Sequence, residues 1–343
     1  GYNKKTGEER SFFIEYFIVN PGYKKDEPVF GQDSENKKNK IRPSYLMIKC
    51  GSWGKGKKQL HHFVGINKVE INDKPHFFVK ADHFYADDKV VKGSVKVEKK
   101  HPDYMMCDDG TMSWNLKIEK VVAYNVGYGT CDLFRKLKCF EMYWHAQGMK
   151  SFFEGTVTFD GEEYIVTRDK SYGYCDKNWG KDFTTPWLWL SSHNIEDEAG
   201  NKLNNTVFDI GGGKPKAFGI SIPKKLLGAY YIEGKEFEFN FSKFWHPSKT
   251  KFTFDESDKD VVSWHVEQSD RHNLFITDVT CLKKDMLFVN YESPLGEKKH
   301  NKLWNGGNGT GIMKQYRKVK KGWQLVRTLT IKNIGCEYGE FDK

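Results

Sequence analysis

One stretch of the chain, from Phe140 to Ile195, gathers most of the groups able to move a proton. It reads Met142-Tyr-Trp-His-Ala-Gln-Gly148, Phe153-Glu-Gly155, Ser171-Tyr-Gly-Tyr-Cys-Asp-Lys-Asn-Trp-Gly-Lys-Asp-Phe183 and Pro186-Trp-Leu-Trp-Leu-Ser-Ser-His-Asn194. Asp176 and Lys177 form a titratable pair, with Tyr174 two residues earlier. Trp144, Trp179, Trp187 and Trp189 supply indole faces around them. A carboxyl buried among such rings keeps its proton toward neutral pH and becomes a usable acid. Asp176 has that composition around it, and His145 and Glu154 are rival acids. A structural reading stands beside each. Asp176 and Lys177 could pair across a tight turn closed by Gly180, the indoles could simply pack, and His145 could be a hydrogen-bonded core histidine. His193 is open to either role.

Other motifs carry less. His61 and His62 should point to opposite faces of a strand, and His76 and His83 lack a third convincing ligand, so no metal site is expected. Gly211–Gly213 and Gly306–Gly311 lack the strand-to-helix context of a phosphate loop and read as hairpin loops. Neither a G-x-S-x-G elbow nor a Ser–His–Asp arrangement is present. Seven cysteines without a C-x-x-C pair read as reduced thiols, which with the lysine-rich surface suits a cytoplasmic setting.

The elements that would position these groups are strands. Ser11–Val19, Tyr45–Lys49, His76–Lys80, Gly93–Val97 and Ser113–Val121 are short, aromatic and β-branched. The pattern resumes with Val207–Ile210, Phe218–Ile222, Ala229–Ile232, Phe237–Phe241, Val261–Val266, Leu274–Val279, Met286–Val289 and Trp323–Lys332. Only Asp132–Cys139 and Lys224–Leu227 read as a helical turn or two. Trp187 and Trp189 share one strand face, and His193 should join them if the strand stays regular. With 343 residues and so many strands, two β domains are expected rather than one, residues 1–165 and 166–343, the boundary falling within about 160–200.

Composition narrows the class. Aromatics make up 15% of the chain, too many for a disordered protein, and no run of ~20 apolar residues suggests a membrane-spanning helix. The net charge of +9 favours anionic surfaces or ligands, yet no recognition-helix or zinc-finger pattern accompanies it, so no nucleic-acid partner is expected.

The central stretch resembles the tocopherol cyclase-like family, related to carotenoid 1,2-hydratases and lipocalin-like Diels–Alder cyclases. The resemblance rests on Tyr174, Asp176, Lys177, Asn178, Trp179, Gly180 and Phe183, followed by Pro186, Trp187, Trp189, Ser192 and Asn194. The Met142-to-His145 segment and the Phe153, Gly155, Asp160, Gly161 turn support it. An aromatic strand usual at the family's N-terminus is not visible, since the chain opens on Gly1-Tyr2; a trimmed start would account for that.

The resemblance implies an all-β protein of two lipocalin-like antiparallel β-barrel domains, packed together around a hydrophobic ligand. It also implies cyclisation, isomerisation or hydration of an isoprenoid, polyene or phenolic molecule, with no redox cofactor. Such additions need an acid to protonate one alkene carbon and aromatic faces to stabilise the resulting cation. On that reading Asp176, Lys177, His145 and Tyr174 carry the catalysis. Trp144, Glu154, Trp179, Trp187, Trp189, His193 and Asn194 bind substrate. A non-catalytic carrier of hydrophobic ligands shares every pocket feature. A sugar-binding β protein is a third reading, weakened by the absence of a facing carboxylate pair. Oligomeric state stays open, as does peripheral contact with a membrane.

Overall fold

The computed structural model describes residues 1–98, 101, 105–124, 136–243, 245–289, 291–296 and 302–340. Two curled antiparallel sheets dominate it. In the first, neighbours run Tyr2–Asn3, Glu162–Val166, Met142–Phe159, Gly110–Tyr124, Val90–Val97, Phe84–Asp87, Phe78–Ala81 and Val69–Asn72, and Gly173–Gly180 also pairs with Met142–Phe159. In the second they run Lys235–Phe239, Lys225–Ile232, Thr206–Gly213, Trp187–Ser192, Gly322–Glu340, Lys302–Val319, Asn273–Leu282, Val261–Ser269 and Lys249–Asp255. The chain is all-β and takes up two lipocalin-like antiparallel barrels. It passes from the first large sheet to the second between Gly180 and Trp187.

Alternation of apolar and polar residues makes the barrels. Along Val261–Ser269, Val262, Trp264, Val266 and Gln268 point inward while their neighbours are only partly buried. Phe275, Val279 and Cys281 do the same on the next strand, and with Phe208, Tyr230 and Met313 they fill the second barrel. Lys225–Ile232 and Lys249–Asp255 come together where that sheet curls back on itself.

A three-stranded sheet of Phe12–Val19, Tyr45–Ser52 and Lys58–Val64 lies between the barrels. Leu46, Ile48, Cys50 and Leu60 join the core of the first barrel, with Phe12, Ile14 and Tyr16 packed against it. Phe13 and Phe17 turn instead toward Trp187, Leu287, Val289 and Tyr291 of the second half. All eight residues of Tyr45–Ser52 are buried for this reason. The 18-residue strand Met142–Phe159 is the other link. Register shifts around Gly148 bend it, and its first half carries Trp144, Ala146 and Met149 onto Val207, Leu227 and Ala229.

Several local expectations are corrected. Lys224–Leu227 is not a helical turn but opens the strand Lys225–Ile232. Phe218–Ile222 is not a strand: Lys216–Ala217 and Ile220–Ser221 form a short hairpin, with Phe218 and Gly219 at positive φ in its turn. The glycine runs are not hairpin loops. Gly211–Gly213 ends the strand Thr206–Gly213, and Gly306–Gly311 lies within Lys302–Val319. These glycines make room for indoles: a Cβ on Gly211 would sit 3.1 Å from the Trp144 ring, and one on Gly307 2.3 Å from the Trp53 ring. Tyr174-to-Gly180 is strand rather than turn. Half of the helical turn expected over Asp132–Cys139, residues 132–135, falls outside the described residues.

Candidate active site

The strands Met142–Phe159 and Gly173–Gly180 set the first part of the site. Their register places Trp144 opposite Asn178 and His145 opposite Lys177. Because side chains alternate, Trp144, Tyr174, Asp176 and Asn178 share one face, and His145, Lys177 and Trp179 share the other. On the first face, the Trp144 Nε1–H donates to Asp176 Oδ2 at 3.0 Å and to the Tyr174 hydroxyl at 3.1 Å. Asn178 Nδ2 also donates to Asp176 Oδ2, at 3.1 Å. Burial raises the Asp176 carboxyl to about 6, helped by the Glu15 carboxylate and opposed by these donors.

The second barrel supplies the facing wall. Trp189 packs on Tyr174, ring centroids 4.8 Å apart, and its Nε1–H donates to Asp209 Oδ1 at 3.0 Å. Asp209 is fully buried, and burial with the neighbouring Asp176 holds its pKa well above the carboxylate range. Its Oδ2 has no hydrogen-bond partner among the described residues. A proton on that oxygen is the simplest way to keep such a group neutral. Trp187 Nε1–H donates to Glu337 Oε2 at 3.1 Å, and Asn305, itself bonded by the Trp53 indole, donates to Oε1. Burial and the carboxylates of Glu15 and Asp176 lift Glu337 to about 7, although Lys49 pulls the other way.

The central sheet contributes the last wall. Glu15 accepts from the Tyr291 hydroxyl at 2.7 Å, and Lys49 Nζ lies 3.3 Å from that hydroxyl and 3.9 Å from Glu15. Lys49 is almost wholly buried, and burial lowers its pKa while Glu15 and Glu337 raise it. Phe17, Phe183 and Tyr291 cluster beside it. Glu15 nonetheless keeps 36% of its side-chain surface accessible between the two barrels. Tyr174, Asp176, Trp187, Trp189, Tyr291 and Glu337 are likewise only partly buried. Asp176 and Glu337 are strongly desolvated yet keep some accessible surface, as side chains that line a recess do.

Of the residues singled out in the sequence, the structure brings Asp176, Tyr174, Trp144, Trp187 and Trp189 to this recess. It sends others elsewhere. The Lys177 ammonium stands 5.1 Å from the Phe77 ring and 5.5 Å from the Trp179 ring, on the face away from Asp176, and Trp179 stacks on Tyr143. His145 shares that face. Glu154 is exposed, opposite Lys117. His193 Nε2 meets the carbonyls of Ser151 at 3.2 Å and Gly173 at 3.1 Å, and burial lowers its pKa to about 4. Asn194 donates to Asn333.

Glu15, Lys49, Asp209 and Glu337 escape a motif search. Glu15, Lys49 and Asp209 are nevertheless each a lone charge inside an apolar strand, as in Phe12-Phe-Ile-Glu-Tyr-Phe17 or Tyr45-Leu-Met-Ile-Lys-Cys50. Such charges are rarely buried without a task or a partner. Among the described residues, no group of three His, Cys, Asp or Glu side chains is arranged to hold a metal ion.

The architecture and the recess thus define an all-β protein with acidic groups held among aromatic rings. The chain belongs to the tocopherol cyclase-like family, whose model matches residues 8–266. Membership supports a cyclase- or hydratase-type enzyme. Glu337 and Tyr291 lie beyond the matched residues. No curated protein matches the chain in sequence. A solved structure, kievitone hydratase from Nectria haematococca, is similar over 99% of this chain and 86% of that one, at 11% identity and a TM-score of 0.47.

Proposed function

We propose that the chain is an acid–base cyclase, isomerase or hydratase that needs no redox cofactor. Its substrate would be a mostly apolar isoprenoid, polyene or phenolic molecule bearing one polar head. The observation that carries this reading is the Asp176 carboxyl, raised to about 6 and fixed by the Trp144 indole beside Tyr174 and Trp189. Both Trp144 and Asn178 donate to Oδ2, which orients the carboxyl for proton delivery from its other oxygen.

In the proposed step that proton moves to one alkene carbon and the adjacent carbon becomes cationic. The faces of Tyr174, Trp187 and Trp189 stabilise it, at ~0.5–2 kcal/mol per ring. A substrate hydroxyl or a water oxygen then bonds to the cation and gives up a proton, which Asp176 or Glu337 accepts. The sum is an isomerisation when the oxygen is the substrate's own, or addition of water when it is not.

The test is incubation with isoprenoid quinols, polyenes and prenylated phenols in D2O. Product carrying deuterium on a former alkene carbon, absent with Asp176→Asn, supports the reading. Ligand that binds and returns unchanged and unlabelled would instead make the protein a carrier.

A further inference from the structure

The hairpin Lys216–Ser221 is built the wrong way round for a turn in water. Turn tips favour Gly, Asn, Asp and Ser, yet here Phe218 shares the turn with Gly219 and Ile220 follows it, and the two side chains are 71% and 72% exposed. Leu137, 57% exposed, runs alongside, because Phe140 bridges Ala217 and the Phe218 amide donates to the Cys139 carbonyl at 2.8 Å. Lys136, Lys138, Lys214 and Lys224 are exposed on the same segments. Two carboxylates stand nearby, Glu141 and Asp182, and both face Lys216, at 3.4 and 3.7 Å. They neutralise the root of the hairpin and leave the outer lysines to set the sign of its tip.

The position also matters. Gly213, just before the hairpin, pairs with Trp187 of the recess, and Lys214 N donates to the Pro186 carbonyl at 3.1 Å. Asp182 precedes Phe183, which packs against Phe17 and Tyr291. The tip is therefore rooted in the segment that walls the candidate site.

We infer that Leu137, Phe218 and Ile220, with Lys136, Lys138, Lys214 and Lys224 exposed on the same segments, form a docking surface for an anionic phospholipid bilayer. Apolar tips enter the headgroup boundary, and lysines around them meet the anionic lipid. So small an apolar area gives weak, reversible binding that depends on both contributions. The inference does not require the proposed reaction to be right.

The experiment is co-sedimentation of the full chain with vesicles of phosphatidylcholine and phosphatidylglycerol, against phosphatidylcholine alone, at low and high salt. Binding is expected on the mixed vesicles, much less on the neutral ones, and should fall with salt. Phe218→Ser with Ile220→Ser should weaken it by about tenfold or more. Lys136→Glu with Lys214→Glu should weaken it about fivefold or more per lysine on anionic vesicles only. These side chains are exposed, so both double variants should melt as the wild type does. Absence of binding at low salt, or binding that both variants retain, would overturn the inference. So would lipid-free self-association that the Phe218→Ser, Ile220→Ser variant abolishes, which would mark the tip as a contact between copies.

Discussion

The Trp144 indole, from the strand that links the two barrels, donates its only N–H to Asp176 at 3.0 Å and to Tyr174 at 3.1 Å. One donor thus holds both an acid and a phenol, and it favours the charged form of Asp176. Replacing Trp144 by Phe keeps most of the ring and deletes the donor. The carboxyl should then hold its proton to higher pH. The alkaline limb of the pH–rate profile, set near 6 by Asp176, should move up by about one unit or less. Turnover against pH for wild type and Trp144→Phe checks this, and an unmoved limb would show that Asp176 does not govern it.

Asp176→Asn should cost about 10²–10⁴-fold in turnover, the usual worth of a positioned general acid. Ligand affinity should change little, because the amide keeps the shape of the carboxyl. Separate titration of ligand binding by indole fluorescence distinguishes lost chemistry from a lost pocket.

Glu337 makes a prediction about stability. Burial, with Glu15 and Asp176 nearby, lets the folded protein keep this proton up to about 7, whereas an unfolded chain releases it near 4.5. Between those values the folded state binds more protons. Stability conferred by the neutral acid is therefore full below the unfolded pKa and is lost as pH rises toward 7. The loss should amount to about 1–3 kcal/mol, less than the full shift because the recess retains some access to water. Thermal melts from pH 4.5 to 7.5 isolate this group as a difference: the stability of the wild type relative to Glu337→Gln should fall as pH rises through that window, whatever slope Asp176, Asp209 and His193 impose on both proteins.

The sequence made the strands legible wherever one face was apolar, as in Val261–Ser269, and it marked Asp176, Tyr174 and the indoles through their clustering. It could not show that Asp176 and Lys177 would part to opposite faces, because that depends on Tyr174-to-Gly180 being a strand rather than a turn. Nor could it join Glu15, Lys49, Asp209 and Glu337, which lie up to 322 positions apart and meet only through the packing of three sheets. The glycine runs misled for a related reason. Their meaning lies in the rings that press on them, and those rings come from other strands.

His193 separates support from chemistry. Its Nε2–H is shared between the carbonyls of Ser151 and Gly173, so the ring fastens the second barrel to the strands that carry Trp144 and Asp176. His193→Ala should lower stability by about 1–3 kcal/mol by leaving two buried carbonyls short of a donor. Turnover per folded molecule should stay close to wild type. A kcat that collapsed in protein of unchanged melting temperature would instead assign His193 to the reaction.

Gly335 tests whether the recess wall depends on a missing side chain. This glycine lies beside Trp189, and an added Cβ would come within 2.3 Å of the indole. Gly211, under the Trp144 ring, would give a looser contact of 3.1 Å. The two alanine variants should therefore differ in degree. Gly335→Ala must displace Trp189, breaking its bond to Asp209 and its contact with Tyr174, at an overpacking cost of about 1–3 kcal/mol. Gly211→Ala asks Trp144 to yield by only a few tenths of an ångström and should destabilise less. Near-UV circular dichroism reports the indole environments and melting the cost. If Gly335→Ala melted and absorbed as the wild type does, Trp189 would not be held by this notch, and the facing wall of the site would need to be rebuilt from other contacts.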